Sequence, residues 1–161
     1  MDVMEQLTYS KRVRRKFLDR MSEMPWSEVT KNREASFYSM KNIMLHMIDN
    51  EDRIVNWVIL GRGREYVRRE WEEYSDMDGV RNHLDEVEAR SKKTLARLDS
   101  EAMKRRVDFV LSSGESFDMT VEECLFQSFT EQMYHMGEII ALFWQQDIEP
   151  PTMQWFHNRV V

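Results

Sequence analysis

Five glycines and three prolines in 161 residues leave few points at which the backbone can turn sharply. A sandwich or barrel needs turns at intervals of about 8–12 residues, so this scarcity favours long helices joined by a few loops. The hydrophobic fraction, 42%, suffices for one core. With 32% charged residues and a mean hydropathy of -0.65 the surface is well solvated, which argues against wholesale disorder and for one domain over residues 1–161.

Apolar spacing marks four helices. The first opens on Asp2, followed three places later by Glu5, and runs to about Met21. Val3, Leu7, Phe17, Leu18 and Met21 form its stripe, which Ser10 and Arg14 interrupt. Pro25 ends it, and Pro25 to Glu34 reads as a connection. Ser36 or Ser39 caps a long second helix carrying Phe37, Met40, Ile43, Met44, Met47, Ile54 and Val58, punctuated by Gly61 and Gly63. The charged stretch from Arg64 to Asp78 holds Tyr66, Trp71 and Tyr74 and reads as an ordered crossover with a helical turn.

Asp78-Gly79 opens the third helix, whose seam is Val80, Leu84, Val87, Ser91, Thr94 and Leu98. A small hairpin is predicted next, from Arg106 to Leu111 and from Phe117 to Met119 about a Ser112-Ser113-Gly114-Glu115 turn. Thr120 and Glu123 make a capping box for the fourth helix, which carries Val121, Leu125, Phe129, Gln132, Met136, Ile139 and Phe143 to about Gln146. Pro150-Pro151 forbids its continuation. The tail, Thr152 to Val161, is expected to bury Met153, Trp155 and Phe156. The expected class is all-α, a four-helix bundle with any buried chemistry between facing helices.

A net charge of -6 argues against a dedicated binder of nucleic acid. The basic run Lys11-Arg12-Val13-Arg14-Arg15-Lys16 wraps all faces of its helix, and residues 1–35 net only +2, so a solvated helix or a dimer salt-bridge surface is expected there. The single Cys124 excludes an internal disulfide and reads as a packing residue. The amino terminus lacks a signal-peptide pattern, and the longest apolar run, Ile139 to Trp144, is far short of the about 20 residues of a membrane span. A cytoplasmic chain without nucleic-acid or membrane partners is expected.

His46 interrupts an apolar run, Ile43 to Ile48, where an imidazole needs a partner. Glu131 and His135 stand four apart on the fourth helix and so share one face. If His46 faces them, two imidazoles and one carboxylate converge, a donor set for zinc, iron, nickel or cobalt with an open position for water or substrate. By spacing alone, a surface hydrogen bond and a structurally satisfied histidine account for the same residues. Asp49 and Asn50 stand one turn after His46, as outer partners of the imidazole or as part of a solvated face. His83 and His157 have no paired donor at helical spacing and read as surface or structural residues. Trp57 and Tyr134 suit either a pocket mouth or the core. There is no Glu-x-x-His, which sets aside a ferritin-like di-metal site.

Two stretches resemble the DinB-like metal-binding bundles, the DinB/YfiT group. Ser39-Met40-Lys41-Asn42-Ile43-Met44-Leu45-His46-Met47-Ile48-Asp49-Asn50-Glu51, with Trp57 beyond, is similar to the family's second-helix motif, in which the histidine is the first metal ligand. Glu131-Gln132-Met133-Tyr134-His135-Met136-Gly137-Glu138 is similar to the fourth-helix motif, where two histidines four apart precede a glycine and a glutamine. His135 and Gly137 match that pattern. Glu131 stands for the first histidine and Glu138 for the glutamine, and Asp147 stands where a glycine is common. The resemblance implies up-down-down-up topology, frequent homodimers and a divalent metal at His46, Glu131 and His135. It further implies a small-molecule substrate, and activation of a low-molecular-weight thiol or of water, as in thiol transferases or hydrolases. The carboxylate at position 131 either keeps the site with a changed metal preference or leaves a degenerate bundle serving dimerisation or small-ligand binding.

Overall fold

The computed structural model describes residues 1–159. Side-chain caps set most helix boundaries. Helix α1 spans Val3–Ser22, with Asp2 and Glu5 accepting each other's backbone N–H at 2.9 Å. A short α2, Trp26–Thr30, lies inside the predicted connection. Ser39 caps α3, Met40–Asn56, through the Asn42 N–H, so Phe37 precedes this helix instead of riding on it. A 3-10 turn, Val58–Leu60, follows and ends at Gly61, whose φ of 75° suits glycine.

The crossover contains two 3-10 turns, Gly63–Glu65 and Trp71–Glu73. Asp76 caps α4, Met77–Leu95, which leaves Leu98 beyond the helix end. A short α5, Ser100–Lys104, precedes the antiparallel hairpin of β1, Arg106–Val110, and β2, Ser116–Thr120, in which Phe109 faces Phe117. The Thr120–Glu123 capping box starts α6, Val121–Trp144. Asp147, with φ 55°, closes its end in the left-handed conformation while the Ile148 N–H donates to the Phe143 carbonyl. No helix among the described residues is long and apolar enough to cross a membrane.

The four long helices pack together, α6 against α1 and α3, and α3 also against α4. Phe17, Met44, Leu84 and Ile139 belong to the main core, and a second cluster of Leu7, Val55, Phe109 and Leu125 lies under the hairpin. Met21, Met40, Met44, Met47 and Met136 are fully buried, so methionine serves mainly as adaptable filling.

The residues that interrupt the α1 stripe are themselves buried. Ser10 and Arg14 are both 0% exposed. The Arg14 guanidinium donates to Glu51 at 2.5 Å, to Glu88 at 2.8 Å and to the Gln132 side-chain oxygen at 3.2 Å. Lys11 pairs with Glu51 at 2.8 Å and Arg15 with Glu88 at 2.6 Å. The basic run therefore ties α1 to α3, α4 and α6, and the burial of Arg14 corrects the expectation of a solvated helix. Bare burial of so many charges would be prohibitive, and the network supplies their partners.

The tail also differs from expectation. Helix α7, Trp155–Asn158, leaves Trp155 and Phe156 largely exposed. Met153 does pack, partly buried, against the main core, and Trp155 meets the Tyr9 ring, but polar contacts also hold the tail: Tyr9 donates to the Met153 carbonyl, Arg12 to the Asn158 carbonyl, and the buried Asn158 amide to Thr152 and Gln154. Of the predicted tail, Val160 and Val161 lie outside the described residues.

Candidate metal centre

Facing positions on α3 and α6 bring His46, Glu131 and His135 together, with one donor atom from each within 4.8 Å of the others. The Glu131 Oε2 lies 3.4 Å from His135 Nε2 and 3.6 Å from His46 Nε2. These separations exceed the about 2.7–2.9 Å of a charge-assisted hydrogen bond. A tetrahedral ion with bonds of about 2.0–2.1 Å sets neighbouring donors about 3.3 Å apart, which the two separations from Glu131 approach. Among the described residues, no other group of three His, Cys, Asp or Glu donors converges in this way.

Each donor is steered from behind. Gln127, one turn before Glu131, donates to its Oε1 at 2.9 Å and leaves Oε2 for the centre. His135 Nδ1 lies 3.0 Å from Glu138 Oε2, while the Ser36 N–H and hydroxyl both donate to that carboxylate at 2.7 Å. Phe37 stacks on His46, ring centroids 4.1 Å apart, and Trp71 meets the Phe37 edge. The Gln132 amide donates to the Met47 carbonyl at 2.7 Å, pinning α6 to α3 one residue from the ligands. Glu138, which stands where the family motif has a glutamine, is thus a contact of His135. Its spacing three residues after His135 was the available signal; Ser36 and Phe37 gave none.

The electrostatics agree with the geometry. The His135 and His46 imidazoles hold the Glu131 carboxyl at about 2 despite partial burial. Burial acts to lower the His135 imidazole, but the carboxylates of Glu131 and Glu138 outweigh it and raise it. Burial acts to raise Glu138, whereas the Ser36 donors and His135 bring it below the usual range.

Other candidates fall elsewhere. Asp49 does not orient His46; it accepts from Trp71 Nε1 at 2.7 Å and meets His83 Nε2 at 3.1 Å, and His83 in turn meets the Tyr74 hydroxyl at 2.8 Å. His83 is therefore a buried structural residue. Burial, assisted by the Glu123 charge, pushes the Cys124 thiol up to about 11, as befits a packing cysteine. Tyr134 is exposed beside His135, and Trp57 is half-buried against Tyr66.

His46 and Phe37 belong to the wall of a cavity of about 640 Å³, completed by Asn50, Arg53, Tyr66 and Trp71 with the hairpin tip at Val110 to Ser112. A larger cavity, about 870 Å³, lies at the start of α1 and α6 beside Phe117 and Phe126, away from the donor cluster.

The DinB family matches residues 1–159. A DinB-like protein from Bacillus subtilis has a similar structure, with a TM-score of 0.71 at 12% identity, over 92% of this chain and 97% of that one. A mycothiol-dependent maleylpyruvate isomerase is similar at a TM-score of 0.60 and 17% identity, over 90% of this chain and 67% of that one. A histidine-to-alanine variant of the isomerase is similar at 0.59 and 14%. No curated protein matches the sequence. At these identities the likeness to solved structures is one of fold, and with the family match over almost the whole sequence the chain belongs to the DinB family.

Proposed function

We propose that the chain is a metal-dependent enzyme holding one divalent ion, zinc, iron or nickel, through His46, Glu131 and His135. The observation that carries this reading is the convergence of the three donors at ion-like spacing beside a cavity. Such an ion supplies Lewis-acid chemistry, lowering the pKa of a low-molecular-weight thiol or of water in its open position. Glu138 keeps the His135 Nδ1 proton engaged, so that Nε2 is the ring nitrogen presented to the ion. Phe37 covers one face of His46 and limits water there. In a transferase of this type the thiolate sulfur bonds to an electrophilic carbon and the departing group leaves with the electron pair. In a hydrolase, water donates the oxygen. The isomerase of similar fold is named for its dependence on mycothiol, which supports the thiol alternative.

The reading includes one bundle domain with its four long helices up-down-down-up, acting in the cytoplasm on a small molecule as a homodimer. Elemental analysis is expected to find about one equivalent of metal per chain, and His135→Ala to abolish it. Retained stoichiometry in a folded variant would refute the ligand set. A non-catalytic ligand-binding or dimerisation module is the second reading, favoured by the approach of Glu131 to both imidazoles at 3.4 and 3.6 Å, since a carboxylate between two imidazoles also balances their charge. A chelator separates the two: stripping metal lowers the melting temperature under the first reading and leaves it unchanged under the second.

A further inference from the structure

Arg53, Arg64 and Arg68 line the cavity that His46 and Phe37 help to enclose. Elsewhere, Arg14, Arg15, Arg33, Arg62, Arg69 and Arg90 lie against carboxylates, while Arg12 and Arg105 donate to backbone carbonyls. Among the described residues, no carboxylate pairs with any of the three in the cavity wall. Asp49, the one acidic lining residue, is engaged by Trp71 and His83. On a chain of net charge -6, the cavity is a locally positive exception.

Two of the guanidinium groups are held in place. Arg68 lies over the Trp71 ring, 4.1 Å from its centroid. Arg53 donates to the Val110 carbonyl and lies 5.3 Å from the Phe109 centroid. Stacking fixes the plane of a guanidinium while leaving edge N–H groups for an oxyanion. Apolar walls from Phe37, Trp71 and Val110 strengthen the field inside. Asn50, on the same wall, has a buried side-chain oxygen without a hydrogen-bond partner, an acceptor available to a ligand N–H or O–H. The volume, about 640 Å³, suits a small organic molecule.

We propose that the Arg53, Arg64 and Arg68 wall is an anion subsite that takes the carboxylate of a small organic acid next to the His46 edge of the centre. The inference rests on the functional reading above for the chemistry that follows binding, and it names the substrate class. The carboxylate belongs to the electrophile or to the thiol; both use the same donors.

Binding to the full-length chain, with and without zinc, tests it. Benzoate is the probe, benzamide its uncharged counterpart, and R64Q/R68Q the variant, since both arginines are exposed and a melting curve verifies its fold. Benzoate is expected to bind at least about tenfold tighter than benzamide, and the double variant to lose at least about fivefold. Equal binding of the two probes, or unchanged benzoate affinity in the folded variant, would overturn the subsite. S-methylglutathione, with its sulfur blocked, separates the sources: competition with benzoate puts the carboxylate on the thiol, and simultaneous binding puts it on the electrophile. Both outcomes retain the subsite. Zinc stoichiometry on the same samples keeps the readings apart, because loss of zinc binding leaves the arginine effect measurable in metal-free protein.

Discussion

Glu131, His135 and His46 are steered by an amide, a carboxylate and an aromatic ring, respectively. Glu138 offers the sharpest test, because it acts on the centre only through His135. Glu138→Ala is expected to weaken zinc affinity by about tenfold to a hundredfold, whereas Glu138→Gln, whose amide oxygen still accepts from Nδ1, retains most of it. Competition with a chromophoric chelator measures both, and equal affinity in all three proteins would show that Glu138 has no hold on the imidazole. That these three side chains come together was legible only with the resemblance to the two family motifs, because a shared helix face and a break in an apolar run fit a surface hydrogen bond and a satisfied histidine equally well. Gln127 and Glu138 stand at helical spacing from their partners, yet such spacing is common and carries no direction. Ser36 and Phe37 reach the centre from a loop, and no periodicity reports where a loop folds back.

Among the elements, α6 carries most of the site and one unexploited weakness. Gly137 lies in the helix interior, and a Cβ there would meet nothing within 4 Å. Its lack of a side chain is therefore not demanded by packing, and Gly137→Ala is expected to stabilise the chain by about 0.5–1 kcal/mol in urea unfolding. A loss of stability would mean that a neighbour seated on this face needs the space. The capping boxes and the hairpin were legible because each is a local pattern of four to fifteen or so residues. The short helices α2 and α5 were not, since a single turn has too little periodicity to stand out. The tail was read only in part: Met153 docks as its apolar character suggested, while Trp155 and Phe156 stay largely exposed and carbonyls with one buried asparagine supply the rest of the hold.

For the whole molecule, the buried charges around Arg14 make stability depend on acid. Burial acts to raise the Glu51 carboxyl, but Arg14 and Lys11 outweigh it and bring it from 4.5 to about 2. A carboxyl lowered by folding contributes its stability above the unfolded pKa and loses it as pH falls from about 4.5 toward 2. The melting temperature of the native chain is expected to drop through that window, and the gap to Glu51→Gln to narrow with it. Parallel curves would exclude Glu51 as a source of the acid sensitivity. Arg14 looked like an interruption of an apolar stripe because its partners come from α3, α4 and α6, distant in sequence. The hairpin tip has another consequence. Val110, Leu111 and Ser112 wall the cavity, whereas every metal-type donor stands on α3 or α6. On the proposed reading, the hairpin tip that shapes the cavity and the two helices that would hold the ion are separable parts of one chain, so exchanging the tip is expected to change which small molecule fits while leaving the three donors in place.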